Sequence, residues 1–222
     1  MSGSSGSSRP GKFRLSRPGV ITAQHRPAKL AFTGNAELRY AGRKALILGK
    51  VVLVTGAARQ LGGRFVRRIQ RDPEVERVIA VDAVPPAHQL GGADFIQTDI
   101  RKPAIARVLA ETAADTVVHL DVTGTALGGG NRATVKETNV IGTMQLLGAC
   151  QKSPAVQRLV VKSSTNVYGS APRDPAVFTE TTPAKSLPSG GFAKDTVEVE
   201  GYVRGFARRR PDVAVCVLRF AN

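Results

Sequence analysis

The sequence predicts an α/β fold: a doubly wound parallel sheet with helices on both faces. Six apolar runs of strand length alternate with segments in which apolar residues recur at helical spacing. The runs are rich in Val, Ile and Leu and carry little charge, which is typical of parallel strands buried on both faces of a sheet. Alternation of strands and helices implies right-handed βαβ units, and therefore a parallel sheet.

Each predicted element can be placed in chain order. The predicted strands are KVVLVTG, RVIAVD, ADFIQTD, DTVVHLD, QRLVVKSS and DVAVCVLRF. The predicted helices between them are LGGRFVRRIQRD, KPAIARVLAET, NRATVKETNVIGTMQLLGACQKS and AKDTVEVEGYVRGFARRR. The last helix ends in arginines before Pro211, and basic side chains complement the dipole of a final helical turn. We therefore interpret this arginine run as a helix end rather than as a phosphate site.

The start of the chain differs in composition from the rest. Residues 1–50 hold ten Lys or Arg and one acid, a net charge of +9, so that +6 of the total +15 remains for the rest of the chain. The start is also rich in Ser, Gly and Pro, and it cannot bury enough apolar surface to offset the entropy of ordering. We expect a basic, largely disordered leader over 1–49 and one domain over 50–222.

A more specific hypothesis is that this leader is a transit peptide, or an arm that binds nucleic acid or an anionic membrane. A nucleic-acid partner is not favoured, because the leader has no repeated interleaving of aromatic with basic residues and no amphipathic repeat. No apolar run approaches the roughly 20 residues that cross a bilayer, so we expect no membrane span and a cytoplasmic location.

Cysteine and histidine usage argues against metal chemistry. Cys150 and Cys216 each lie in an apolar segment without metal-ligand spacing, so we expect buried thiols rather than a disulfide or a zinc site. The three histidines, His25, His88 and His119, are far apart in the sequence. No metal site is predicted.

The segment VVLVTGAARQLGG joins the first predicted strand to the first predicted helix. Its glycines, Gly56, Gly62 and Gly63, allow a tight turn, and the helix N-terminus offers N–H donors to a pyrophosphate. Asp82 ends the next predicted strand, 26 residues after Gly56. Its carboxylate can accept bonds from both hydroxyls of an adenosine ribose and would repel a 2′-phosphate. The pattern predicts a Rossmann-type dinucleotide site that prefers NAD to NADP; plain turn packing for the glycines and a solvated acid for Asp82 are the alternatives.

Six motifs then follow one another from about Lys50 to Asn222. They are VTGAARQLG, TDI, VVHLD, TNVIGTMQLL, RLVVKSSTNVYGS and VLRFAN. In this order and spacing the chain resembles the extended short-chain dehydrogenase/reductase superfamily, specifically the NAD-dependent epimerase/dehydratase family that includes UDP-glucose 4-epimerases. The first motif is similar to the family's TGxxGxxG turn, and the last to its L-R-x-x-N strand.

The resemblance implies a set of site residues. Ser164 would be the substrate-facing serine and is the one candidate catalytic residue. The residues that would bind the NAD cofactor are Gly56, Arg59, Gln60, Leu61, Gly62, Asp82, Asp99, Ile100, Leu120, Asp121, Asn139 and Ser163.

Three positions depart from the family pattern. Arg59 replaces the middle glycine of the turn, and Asp121 replaces an alanine-like residue after His119. Arg59 could pair with the pyrophosphate or obstruct it, and Asp121 brings negative charge towards an anionic cofactor; an Arg59–Asp121 pair is one hypothesis. The catalytic Tyr-x-x-x-Lys of the family is here Phe192 followed by Thr196.

The third departure bears on chemistry. Phenylalanine has no proton to transfer, and threonine has neither the charge nor the reach of lysine. Of the three tyrosines, Tyr40 precedes the first strand, Tyr202 is ten residues beyond Phe192, and only Tyr168 could approach a substrate.

We therefore expect an NAD-binding, epimerase/dehydratase-like protein that acts on or binds a small-molecule ligand such as a nucleotide sugar. A non-catalytic NAD-binding regulatory or scaffold protein is the alternative, and an enzyme in which Ser164, Tyr168 or a substrate group handles the proton stays open. Family members continue past the last motif, so the substrate-binding C-terminal region is expected to be missing or truncated. A homodimer is left open.

Overall fold

The computed structural model describes residues 50–126, 130–169, 171–174, 176–179, 181–185, 188 and 191–221. The proposed leader lies outside these ranges. The strands are β1 (Val51–Thr55), β2 (Arg77–Asp82), β3 (Asp94–Gln97), β4 (Thr116–His119), β5 (Arg158–Ser164) and β6 (Ala214–Phe220). The helices are α1 (Gln60–Ile69), α2 (Ala104–Thr112), α3 (Arg132–Lys136), α4 (Thr143–Lys152) and α5 (Gly191–Arg209), with a π-helical turn at Glu137–Gly142 and a 3₁₀ turn at Thr165–Tyr168.

The six strands form one parallel sheet in the order β3-β2-β1-β4-β5-β6. The chain winds outwards from β1 to β3, then crosses over and winds the other way from β4 to β6. The predicted doubly wound α/β sheet is confirmed. Ligands of such sheets bind outside the carboxyl ends of the strands where the winding reverses, which here is between β1 and β4.

Apolar side chains cover both faces of the sheet. On one face, residues of α2, α4 and α5 pack on inward residues such as Leu53, Val117 and Leu159. On the other face, α1 packs through Val66 on alternate strand residues such as Val54. Burial on both faces explains why the central strands have almost uncharged sequences.

The prediction that every strand is buried on both faces is wrong for the two edge strands. β3 has no fully buried residue, and along β6 each residue is half-buried or exposed, with Leu218 41% and Phe220 36% exposed. An edge strand has one strand neighbour instead of two, so its apolar residues have fewer groups to pack against. An apolar sequence alone does not separate an edge strand from a central one.

The long third predicted helix is interrupted in its middle. The π-helical turn separates α3 from α4, and it contains the fully buried Asn139. A π turn adds a residue to the helical repeat and is frequent at functional sites. Here it directs the Asn139 side chain towards the loop after β4.

His119, at the end of β4, is fully buried between two threonines. Its Nδ1 lies 2.6 Å from Thr55 Oγ1 and its Nε2 lies 2.8 Å from Thr143 Oγ1. Thr143 donates its own hydroxyl proton to the Asn139 carbonyl, so it accepts from His119 Nε2–H, and Thr55 donates to Nδ1. This arrangement requires a neutral ring, and burial lowers the pKa of His119 to about 3.

We expect the His119 ring to stay neutral at pH 5, where an exposed histidine would be protonated. Because the unfolded chain binds a proton there that the folded chain does not, this residue lowers the free energy of unfolding by about 1.4 kcal/mol per pH unit as the pH falls from 6.5 towards 3. NMR titration of the ring nitrogens, assigned with His119→Gln, measures this directly. A midpoint near 6.5 for His119 would contradict it.

Candidate functional site

The turn between β1 and α1 is built on glycine. Gly56 has φ of 76°, a left-handed conformation that side chains disfavour. A Cβ on Gly62 would lie 2.0 Å from the Gly56 carbonyl oxygen. The helix begins at Gln60 with no side-chain cap from Arg59, and Gln60 and Leu61 are exposed. The turn therefore presents the uncapped N-terminus of a ten-residue helix at the carboxyl edge of the sheet.

Asp82 lies beside this turn, at the carboxyl end of β2. Its side chain is buried, and its two oxygens accept N–H groups from Ala58 at 2.9 Å and Val84 at 3.3 Å. The bond to Ala58 ties the end of β2 to the turn after β1. A carboxylate with four acceptor positions can keep both bonds and still accept from a ligand hydroxyl.

Arg59 and Asp121 form the pair that the sequence suggested. Arg59 Nε donates to Asp121 Oδ1 at 2.9 Å, and the two side chains are only 17% and 10% exposed. Burial raises the pKa of the Asp121 carboxyl to about 6, against the opposing effect of the Arg59 hydrogen bond. Within the described ranges the two terminal NH₂ groups of Arg59 have no partner, and they remain available to an anion.

Asp99 is held by an arginine two residues later. Arg101 forks onto both Asp99 oxygens, with Nη2–Oδ2 at 2.7 Å, and its Nη1 reaches Glu137 of the π turn at 3.1 Å. The Arg101 hydrogen bonds lower the pKa of Asp99. Ile100 between them is 3% exposed and packs in the core beneath Gly142. The side chain of Ile100 thus belongs to the core, as does that of Leu120.

Asn139 connects the π turn to the loop after β4. Its Oδ1 accepts the Thr123 N–H at 2.9 Å, and its Nδ2 donates to the Thr123 carbonyl at 2.8 Å and to Asp195 Oδ2 at 3.0 Å. Asp195 is 1% exposed, and its Oδ1 accepts a hydrogen bond from Arg132 Nη2 at 2.6 Å. Sequence reasoning predicted Asn139 but missed Asp195 and Arg132.

The two serines at the end of β5 have different hydrogen-bond partners. Ser163 donates its hydroxyl to Glu200 Oε1 of α5 at 2.7 Å. Ser164 is buried, and its hydroxyl oxygen accepts the Asn166 N–H at 3.2 Å, which caps the 3₁₀ turn. The Ser163 hydroxyl is therefore engaged with the helix, and the Ser164 oxygen is one acceptor in a cap.

Phe192 and Thr196 lie in the first turns of α5. The half-buried Phe192 ring contacts Gly124 in the loop after β4, where a Cβ would lie 3.5 Å from the ring. Thr196 is fully buried and donates its hydroxyl to the carbonyls of Ala193 at 2.9 Å and Phe192 at 3.2 Å. Neither side chain presents an ionisable group to the edge of the sheet.

Two of the three tyrosines fall within the described residues. Tyr168 is buried, its hydroxyl receives Arg219 Nη1 at 2.7 Å, and its ring stacks on Phe178 at 4.0 Å between centroids. Tyr202 donates to the exposed Glu198 at 3.1 Å. Of the two, only Tyr168 lies near Ser164, and its hydroxyl is already bound to a cation.

Lys162 was also missed, although it is a lysine in an otherwise apolar strand. Its Nζ donates to the Val122 carbonyl at 2.8 Å, which places the ammonium at the carboxyl edge between β4 and β5. A charged residue inside a buried strand was the available signal.

Comparison with known proteins decides the family. A family model described as the NAD dependent epimerase/dehydratase family matches residues 52–222. The chain belongs to this family. The predicted resemblance is confirmed, and the parallel sheet with flanking helices agrees with it.

Several known proteins are similar over more than half of this chain. An uncharacterized protein of Mycobacterium tuberculosis is 50% identical over 177 residues, which cover 78% of this chain and 47% of the relative. A UDP-glucose 4-epimerase of Klebsiella pneumoniae is 33% identical over 141 residues, 57% of this chain and 97% of the relative. The crystal structure of a UDP-glucose-4-epimerase from Stenotrophomonas maltophila, with bound NAD and formylated UDP-arabinopyranose, has a TM-score of 0.63 at 27% identity and covers 77% of this chain and 52% of that one. The chain thus spans about half the length of the mycobacterial relative.

Membrane-spanning helices and metal-binding clusters are both absent from the described residues. No helix within them is both long and apolar enough to cross a bilayer. In the same ranges, no group of three or more His, Cys, Asp or Glu side chains could hold a metal ion.

Proposed function

We propose that this chain binds NAD at the carboxyl edge of its sheet and belongs to a protein that acts on or binds a nucleotide sugar. The observation that carries the proposal is the link between the Asp82 carboxylate and the Ala58 N–H at 2.9 Å, beside an uncapped helix N-terminus. It brings an acceptor for ribose hydroxyls and donors for a pyrophosphate together at the point where the winding of the sheet reverses.

The residues present suit the cofactor. Glycine at 56 and 62 lets the turn pack closely against the loop after β4 and against α1, and Gln60 and Leu61 would provide N–H groups for the phosphates. The negative charge of Asp121 would oppose an anionic ligand, but the Arg59 ion pair offsets it. Asp99 and Asn139 would support the site indirectly by holding the segments around it, since their side chains already bond to Arg101 and Thr123.

Bound NAD would supply hydride transfer; the proton steps fall to the protein. Phe192 has no proton to exchange, and Thr196 directs its hydroxyl to its own helix. Ser164 is then the hydroxyl that the family motif places towards the substrate. The same residues favour the second candidate, an NAD-binding regulatory or scaffold protein without turnover. A homodimer and a cytoplasmic location stay predictions from the sequence.

Thermal unfolding of the 222-residue chain with NAD, with NADP and without ligand tests cofactor binding. A ligand at 100 times its dissociation constant adds about 2.7 kcal/mol to the free energy of unfolding, which raises the midpoint by about 5 to 10 °C in a domain of this size. We expect this shift with NAD and not with NADP. Asp82→Asn keeps an acceptor for Ala58 but loses the charge, so it should lose most of the shift.

Asp94→Asn is the matched control, because Asp94 is an exposed carboxylate paired with Arg77 at the start of β3. It should retain the NAD shift. A folded chain that responds to neither nucleotide would overturn NAD binding. Turnover of UDP-glucose that Ser164→Ala abolishes would favour the enzyme over the scaffold.

A further inference from the structure

Lys162 is a half-buried cation near the carboxyl end of β5, and no role has been assigned to it so far. Alternation along β5 directs it to the α1 face, since Val160 packs in the core of that face and Ser163 bonds to α5 on the other. Its Nζ is held by the Val122 carbonyl at 2.8 Å. An ammonium has three donors, and within the described residues the other two have no partner.

Its charged neighbours make this a positive location. Arg59 and Asp121 act on Lys162 through their charges, and His119, whose side chain lies on the other face of the sheet, is neutral. Burial, together with the like charge of Arg59, lowers the pKa of the Lys162 ammonium, while Asp121 raises it. Two cations, Lys162 and Arg59, thus face one carboxylate, because Asp121 is the carboxylate whose charge acts on Lys162. An anionic or hydroxyl-rich ligand would relieve this partly desolvated surplus of positive charge.

The strand order indicates which part of a dinucleotide would reach Lys162. Moving across the sheet, Asp82 on β2 suits the adenosine ribose and the β1 turn suits the pyrophosphate, so the ends of β4 and β5 are left for the other nucleotide. Thr196, on α5, offers that nucleotide no cation.

Resting on the proposed NAD binding, we propose that the Lys162 ammonium binds the nicotinamide nucleotide half of NAD and supplies the cation that Thr196 does not. The role is that of a cofactor-binding residue on the strand, on the opposite side of the sheet from α5. It requires only the two free donors of an ammonium that Val122 already fixes in place.

The test is a comparison of NAD with ADP, which has the adenosine and both phosphates but no second nucleoside. Isothermal titration should show that Lys162→Met raises the Kd for NAD by about 10-fold or more, the usual effect of removing a hydrogen bond to a charged group, while the Kd for ADP changes by less than about 3-fold. Lys194→Met, on the exposed side of α5, is the matched control and should change neither.

The outcomes are distinguishable. If the wild-type chain binds neither ligand, the proposed function fails and this inference fails with it. If it binds both and Lys162→Met binds NAD normally, or weakens NAD and ADP equally, only the role of Lys162 is overturned.

A second measurement on the wild-type chain covers the case in which the variant does not fold. NAD should slow the reductive methylation of Lys162 by about 5-fold or more relative to Lys194, since a hydrogen-bonded ammonium is shielded, whereas ADP should not. Equal rates with NAD and ADP would overturn the inference.

Discussion

Replacing Arg219 with methionine should lower the free energy of unfolding by about 3 to 5 kcal/mol, the usual result of removing one partner of a buried ion pair. Arg219 forks onto Glu200, with Nε–Oε1 at 2.8 Å and Nη2–Oε2 at 2.7 Å, and the Glu200 side chain is 3% exposed. The variant would leave a buried carboxylate with the Ser163 hydroxyl as its main remaining donor. It would also remove the donor to the Tyr168 hydroxyl.

Arg204→Met provides the control on the same carboxylate. Arg204 Nη1 lies 3.6 Å from Glu200 Oε2, but its side chain is 57% exposed. An exposed ion pair contributes little, so we expect a loss below about 1 kcal/mol. Urea unfolding of both variants measures the difference. Similar losses for the two arginines would show that the buried fork is not what stabilises this end of α5.

The second large effect is expected from Gly62→Ala. The added Cβ would lie 2.0 Å from the Gly56 carbonyl oxygen and 3.1 Å from Ala57 Cα, and both are backbone atoms that cannot move aside alone. The turn must shift as a unit, at a cost of about 1 to 3 kcal/mol in the free energy of unfolding. Because the N–H groups that would meet the pyrophosphate belong to this turn, the thermal shift with NAD should be lost as well.

Gly148→Ala is its control within another helix. Gly148 lies in α4, and no atom would lie within 4 Å of an added Cβ. Alanine is the better helix former, so this variant should be stabilised by up to about 1 kcal/mol and should keep the NAD response. If both glycine variants were stabilised alike, the close packing of the turn against α1 would be refuted.

Local patterns in the sequence carried the prediction of the elements. Strands, helices, the glycine turn and the position of Asp82 all depend on residues near one another in the chain, and the structure places them as expected except for the π turn that interrupts the third helix. The Arg59–Asp121 pair could also be predicted from the sequence, because these two residues depart from the family pattern and carry opposite charges.

The rest depends on contacts between distant residues. Arg132 meets Asp195 across 63 positions, and Glu200 meets Arg219 only once α5 and β6 have packed together. The exposure of β6 follows from its place at the edge of the sheet, which its apolar sequence does not indicate. A single sequence gives charges and spacings, but not which of them share a face after folding.

The hydrogen bonds around His119 also bear on movement. They run in one direction, from Thr55 through His119 and Thr143 to the Asn139 backbone, and the Asn139 side chain then holds Thr123 by two bonds. The Asn139 carbonyl can only accept, so it fixes the direction of the bond from Thr143, and that bond fixes the other two; the series therefore has a single low-energy arrangement. We infer that β1, β4 and the loop that carries Asp121 behave as one rigid frame, and that any motion admitting a ligand belongs to other segments of the chain.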